Sequence, residues 1–178
     1  MYPGPRRRVN TVAFAESFAD FDEVHPIDLV EHLAEHHAWE FDRTHDDRIA
    51  MAVEGQWRNY ALTLAWSDMD ETLQLICTFE MEPPEKRLGA LYEALNAIND
   101  HGWGGNFTWW NDQRMMVYRY GLVLAGDQVA TPEQIDTMIH TAVTACERYY
   151  PVLQLVTWAE RSPEEALKIA MAETVGRA

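Results

Sequence analysis

Residues 49–81, IAMAVEGQWRNYALTLAWSDMDETLQLICTFEM, decide the fold. Ile49, Met51 and Val53 alternate with short or polar residues, and Gly55 makes a turn. Tyr60, Leu62, Leu64 and Trp66 alternate again. Ser67-Asp68-Met69-Asp70 reads as a second turn, after which Leu73, Leu75, Cys77, Phe79 and Met81 repeat the pattern. A period of two sends successive side chains to opposite faces of a sheet. Alternation, in place of continuous apolar runs, predicts antiparallel strands with one face buried and the other toward water. With a further strand at 39–44, these residues form a three- or four-stranded meander.

Outward from the meander the period changes. Pro26 opens a helix predicted over 26–38, with Ile27, Val30, Leu33, Ala34 and His37 on one face. Proline suits the first turn, where its missing N–H is not needed. Pro83-Pro84 stops the meander. A second helix over 84–100 carries Leu88, Leu91, Tyr92, Leu95 and Ile98, with Gly102 as its C-terminal cap. Strands follow at 106–111 and 114–124, the latter with Met116, Tyr118, Tyr120, Leu122 and Leu124 on one face. Thr131-Pro132-Glu133-Gln134 starts another helix: threonine caps, proline takes the first position and Gln134 closes a capping box. Its apolar stripe runs from Ile135 to Tyr149, where Pro151 is expected to break or kink it. Ser162-Pro163-Glu164-Glu165 repeats the start signal for a last helix.

The fold class is therefore α+β: an antiparallel sheet of five to six strands in the order α-β-β-β(-β)-α-β-β-α, helices packed on one face, with an extra C-terminal helix. A single domain spans 26–178. Residues 1–25 read as an N-terminal arm, in which Phe14, Phe18 and Phe21 share a helical spacing.

At 178 residues, one domain is the natural partition. Twenty-nine acidic residues against 14 basic ones give a formal net charge of −15, which repels a phosphate backbone and argues against nucleic acid as partner. The basic run Arg6-Arg7-Arg8 lies in the arm. Cys77 and Cys146 form no CxxC pair and fall on apolar faces, as core thiols of a reducing compartment would. No run approaches the ~20 apolar residues of a membrane span. The N-terminal residues lack the apolar stretch of a signal peptide, so the cytoplasm is the expected compartment.

The sharpest enzymatic pattern is His32-Leu33-Ala34-Glu35-His36, which matches the HxxEH arrangement of inverted zinc proteases. Taking Val30 as the core direction, His32 lies about 200° away and His36 about 240° away on the helical wheel. Both are expected in solvent, with no third ligand in evidence; at most they bind adventitious metal. A zinc hydrolase using His32, Glu35 and His36 is the weakest alternative. Serine occurs at 17, 67 and 162, none within GxSxG. His101-Gly102-Trp103-Gly104-Gly105-Asn106 lacks the pattern of a phosphate loop and follows a helix. No cofactor motif is present.

Seven tryptophans remain to be placed. Trp109 and Trp110 are adjacent in a strand, so one of them must leave the helix-covered face. We assign Trp103, Trp109, Trp110 and Tyr118 to a candidate partner-binding surface, because exposed aromatic residues mark contact sites.

Several phrases carry a family resemblance. They are Pro26-Ile27-Asp28-Leu29-Val30, Glu80-Met81-Glu82-Pro83-Pro84, Gly105-Asn106-Phe107, and Glu147-Arg148-Tyr149-Tyr150-Pro151-Val152 with Trp158 and Ser162-Pro163-Glu164-Glu165-Ala166. Together with the order of elements they resemble the YbjN family of bacterial sensory transduction regulators across most of 26–170. The resemblance implies a type III secretion chaperone-like fold. It also implies a non-enzymatic, homodimeric module that holds a partner protein on an apolar or aromatic surface. A small-molecule sensor, with its ligand enclosed between sheet and helices, is the alternative.

Overall fold

The structure, a computed structural model, describes residues 24–126 and 128–175, with side chains through residue 170. The readings placed on Arg6–Arg8 and on Phe14, Phe18 and Phe21 lie outside the described residues. The alternating stretch forms strands β1 (Glu40–His45), β2 (Arg48–Glu54), β3 (Asn59–Ser67) and β4 (Thr72–Glu80). Strands β5 (Asn106–Trp110) and β6 (Met115–Val123) complete one six-stranded antiparallel sheet in the order β1-β2-β3-β4-β6-β5. Four helices accompany it: α1 (Pro26–His37), α2 (Leu88–Asp100), α3 (Pro132–Thr157) and α4 (Pro163–Val175). A short 3-10 turn, Glu85–Arg87, leads into α2.

Burial follows the alternation. Leu73, Leu75, Cys77 and Phe79 of β4 are buried, as are Tyr60, Leu62 and Leu64 of β3 and Ile49, Met51 and Val53 of β2. These side chains meet Leu29, Val30 and Leu33 of α1, and Met138, Ile139, Ala142 and Val152 of α3, in one core cluster. Helix α1 packs on β1, β2 and β3, and α3 on β4 and β6. Helix α2 closes over β5, and α4 packs outside α2 and α3. Fully burying one such leucine or isoleucine contributes about 1.5–3 kcal/mol, so the covered face supplies most of the drive to fold.

The helix signals act as the residues suggested. Thr131 Oγ1 accepts from the Gln134 amide at 3.2 Å, and the Thr131 amide donates to Gln134 Oε1 at 2.9 Å, a complete capping box. Ser162 and Glu165 repeat it at the start of α4. At the other end of α3, Arg87 donates through Nε and Nη2 to the Val156 carbonyl, at 3.0 and 2.7 Å, and through Nη2 to the Arg161 carbonyl. It satisfies acceptors that a helix C-terminus leaves open.

Four local expectations need correction. Pro151 does not end its helix; α3 runs on to Thr157, because Tyr149, Val152, Leu153 and Val156 are buried on both sides of the proline and hold the register. Gly102 is not a left-handed cap. Helix α2 ends in a tightened turn, with the His101 amide on the Ile98 carbonyl and the Gly102 amide on the Asn99 carbonyl. His37 leaves the apolar stripe: its ring stacks on Trp39 and its Nε2 meets Asp136 Oδ1 at 2.9 Å. Tyr92 is also outside the core, half exposed on the surface of α2.

One polar anchor positions the β2–β3 hairpin. The Glu147 carboxylate of α3 accepts from the amides of Gln56 and Trp57, at 3.0 and 3.2 Å, and from the Tyr60 hydroxyl at 2.7 Å. The approach is close enough to demand glycine at 55. A Cβ there would lie 2.3 Å from Glu147 Oε1 and 2.5 Å from the Tyr60 ring.

Candidate interaction surface

Among the described residues, the helices pack on one face of the sheet and none packs on the other. Strand register arranges that face in cross-strand rows. One row is Asp42, Ala50, Thr63, Ile76, Arg119 and Asn106; the next is Glu40, Ala52, Ala61, Thr78, Val117 and Thr108. A third runs Arg48, Ala65, Gln74 and Gly121. The middle of the face is thus built from alanine and threonine, with Ile76 between them. Val117 is fully buried although it lies outside the helix-side core cluster.

Two aromatic residues rise at the β5 side. Trp110 is partly exposed at the end of β5, and Trp103 is completely exposed in the loop before it. A groove of about 830 Å³ runs beside Trp103 and is lined by Gln74, Ile76, Asn106, Arg119 and Tyr120. A second, about 490 Å³, lies against Trp110 and is lined by Thr63, Ala65, Gln74, Ile76 and Met115. The two grooves share Gln74 and Ile76, so they are parts of one trough.

Of the four aromatic residues assigned to a contact surface, the structure divides two from two. Trp110 and Trp103 are on the surface. Trp109 and Tyr118 are buried on the helix side, so their expected surface position is corrected. The cause is the period of two: Trp109 and Tyr118 fall in phase with Phe107 and Met116, which face the helices. Tyr118 still shapes the trough from below. Its ring packs edge-on against Phe107 with centroids 4.9 Å apart. A Cβ at Gly105 would come within 2.7 Å of the Tyr118 ring and hydroxyl, so the Trp103 loop rests directly on this tyrosine. Burial and the neighbouring Cys146 thiol push the Tyr118 phenol up to about 12.

The free edge beyond β5 is partly closed. Asn99 of α2 accepts from the Phe107 amide at 2.7 Å and donates to the Phe107 carbonyl at 2.9 Å. Its side-chain amide takes the place of a neighbouring strand, which limits pairing with a foreign strand there.

The HxxEH residues stay apart from any such surface. His32, Glu35 and His36 are exposed on α1, and His32 Nδ1 lies 2.7 Å from the Asp28 carbonyl oxygen. Among the described residues, no three His, Cys, Asp or Glu side chains converge as metal ligands. Cys77 and Cys146 are buried with their sulfurs 3.6 Å apart, and the contact with Cys77 together with burial pushes the Cys146 thiol well above its usual range. Among the described residues, no helix is long and apolar enough to cross a membrane.

The residue missed from sequence is Arg119. Its signal was available: in 115–123 it shares its phase with Val117 and Gly121, opposite Tyr118. The long apolar stripe on the other phase dominates the pattern of this strand.

Known proteins agree with this architecture. The crystal structure of YbjN from E. coli, "a putative transcription regulator", superposes with a TM-score of 0.51 at 13% identity, covering 71% of this chain and 92% of that one. No match was found among curated proteins. The profile of one family, described as "putative bacterial sensory transduction regulator", matches residues 26–155, and with that span this chain belongs to the YbjN family.

Proposed function

We propose that this chain is a non-enzymatic regulatory module that works by holding another protein on the helix-free face of its sheet. The observation that carries the proposal is the trough between Trp103 and Trp110, floored by short side chains and left uncovered by every described helix. Large aromatic residues that stay exposed in a folded chain contribute disproportionately when a partner covers them. The net charge of −15 favours a protein over a nucleic acid as that partner. The buried thiols suit a reducing cytoplasm.

The test compares capture by the purified chain with capture by a Trp103→Ser/Trp110→Ser variant, using extract from the native cell. The expected outcome is a protein retained by the first and lost by the second. Identical retention by both would remove the trough from consideration.

A further inference from the structure

Val117 is fully buried, yet none of the described helices packs on its side of the sheet. Its cross-strand neighbours Thr78 and Thr108 are half-buried, whereas Ala61 and Ala52, further along the same row, are exposed. Burial along this row is therefore concentrated at β4 and β6. A groove of about 490 Å³ crosses the same region, from Arg48 at one end to Trp110 and Gln113 at the other, with Gln74, Ile76 and Thr78 along it. The described chain starts at the Arg48 end. Val24 packs against the core, and the His25 ring lies edge-on to Trp66 with centroids 6.4 Å apart. The Trp66 amide donates to the carbonyl of Asp47, the residue before Arg48.

We infer that residues 12–21 of the same chain occupy this groove, with Phe14, Phe18 and Phe21 toward the sheet, and that they are the cover over Val117. Reach agrees. Trp66 pairs with Leu73 and Val117 with Thr78, so Val117 lies five residues along and two strands across from the chain's entry. That is about 17 Å by about 10 Å, or roughly 20 Å in all. Residues 22–24, extended, span about 10 Å, and the helical spacing from Phe14 to Phe21 adds about 10 Å. Phe14 thus arrives at Val117.

Charge runs the same way. Glu16, Asp20, Asp22 and Glu23 fall in the part of the arm nearest Arg48. Arg6, Arg7 and Arg8 fall in the part that extends toward Glu80, Glu82 and Asp112, which are exposed at the far end of the sheet. The reverse direction would set arginines beside Arg48 and acids beside acids, in a chain that already carries −15. Ala65, Thr63 and Thr78 keep the groove floor low enough for phenyl rings to settle between Arg48 and Trp110. A tethered segment also competes at an effective concentration of about millimolar, without the cost of bringing two molecules together. The trough that holds a partner is then held first by the chain itself, and a partner must displace the arm. That regulatory step rests on the proposed function; the docking of the arm does not.

The test uses the full chain carrying Thr78→Cys and follows maleimide labelling of the new thiol, since Cys77 and Cys146 are buried. Adding Phe14→Ser, Phe18→Ser and Phe21→Ser should speed labelling about tenfold or more, with an unchanged circular dichroism spectrum, because an uncovered groove no longer needs an opening step. The slow rate of the parent should be the same at low and high protein concentration. Equal rates with and without the three phenylalanines overturn the inference. So does protection that weakens on dilution, which would assign the cover to another molecule. Capture from cell extract separates this inference from the proposed function. If labelling responds to the phenylalanines but capture ignores Trp103→Ser/Trp110→Ser, the docked arm stands and the proposed function falls. If capture responds and labelling does not, the reverse holds. If both respond, the serine variant should retain several-fold more partner than the parent; equal retention removes the regulatory step.

Discussion

Thr63 and Leu64 are neighbours on β3, yet they belong to different environments. Leu64 points into the helix-covered core and is fully buried, whereas Thr63 points to the helix-free face and lines the trough. The same contrast repeats along β2 and β4. On the covered face, residue type is dictated by packing: leucine, isoleucine, tyrosine and phenylalanine fill the space under α1 and α3. On the free face, folding demands little. A sheet face left to water ordinarily accepts long polar side chains, but here the centre is alanine and threonine with two tryptophans to one side. The covered face is explained by packing under the helices, whereas the composition of the free face is what the proposed contact surface would account for.

Removing volume from the covered face should have the largest effect. Leu64→Ala should cost about 3 kcal/mol, from lost transfer free energy and the cavity left behind. Urea denaturation with an unchanged slope would report it as a shift in midpoint. A loss under about 1 kcal/mol would mean that the core near Leu64 is loosely packed, and the contrast between faces would weaken.

Next in size is the polar anchor on the covered side. Glu147→Ala leaves two hairpin amides and the Tyr60 hydroxyl without their acceptor. Lost hydrogen bonds to a charged group are worth about 1.5–3 kcal/mol, reduced here because Gln56 and Trp57 can turn to water. A cost of about 2 kcal/mol is expected, read from the same urea titration. Hydrogen exchange should rise first at residues 55–58, because the anchor holds that hairpin locally.

The covered face also predicts a response to alkali. The native state raises the Tyr118 phenol to about 12, chiefly by burial, and raises Tyr60 and Cys146 in the same direction. In the unfolded chain a tyrosine titrates near 10. Above that value the unfolded state has released protons that the native state still holds, so ν_U is below ν_N and stability falls as pH rises. The contribution of Tyr118 is fully present below about pH 10 and is lost progressively toward about 12, at roughly 1.4 kcal/mol per pH unit. Tyr118→Phe should flatten that slope by one proton without lowering stability at pH 7 by more than about 1 kcal/mol. A slope equal in the two chains would show that Tyr118 is not kept protonated by the core.

The covered face was almost wholly legible from sequence, and the free face only in part. Apolar alternation located β2, β3 and β4 because burial on one side imposes a period of two, and it placed Cys77 in the core, as the helical stripe of α3 placed Cys146. Capping residues marked the start of α3 because Thr131 and Gln134 satisfy backbone amides wherever they occur at that spacing. Pro151 misled because a local rule was overridden by buried neighbours on both sides. Among the aromatics, parity showed that Trp109 and Trp110 must part company. Assigning Tyr118 to the surface ignored the same parity, which joins it to Met116. The phase of Arg119 was legible, but its cross-strand neighbour Ile76 and the pairing of Asn99 with Phe107 were not: each depends on which strands and helices become neighbours, and that order is not encoded in local spacing.

The smallest expected effect gives the sharpest check on the contrast. Thr63→Val replaces a hydroxyl by a methyl at nearly constant volume on the free face. Both residues are β-branched and suit a strand, so backbone preference barely changes. Core packing is untouched, and among the described residues Thr63 makes no side-chain hydrogen bond that the substitution would strand. Monomer stability should therefore move by less than about 0.5 kcal/mol in either direction. The same exchange of polarity one residue along, Leu64→Thr, would place a hydroxyl in the core with no partner provided and should cost several-fold more. If Thr63→Val instead destabilised the isolated chain by over about 1 kcal/mol, the free face would be contributing to the monomer's own fold. Its alanine and threonine floor would then need no second molecule to explain it.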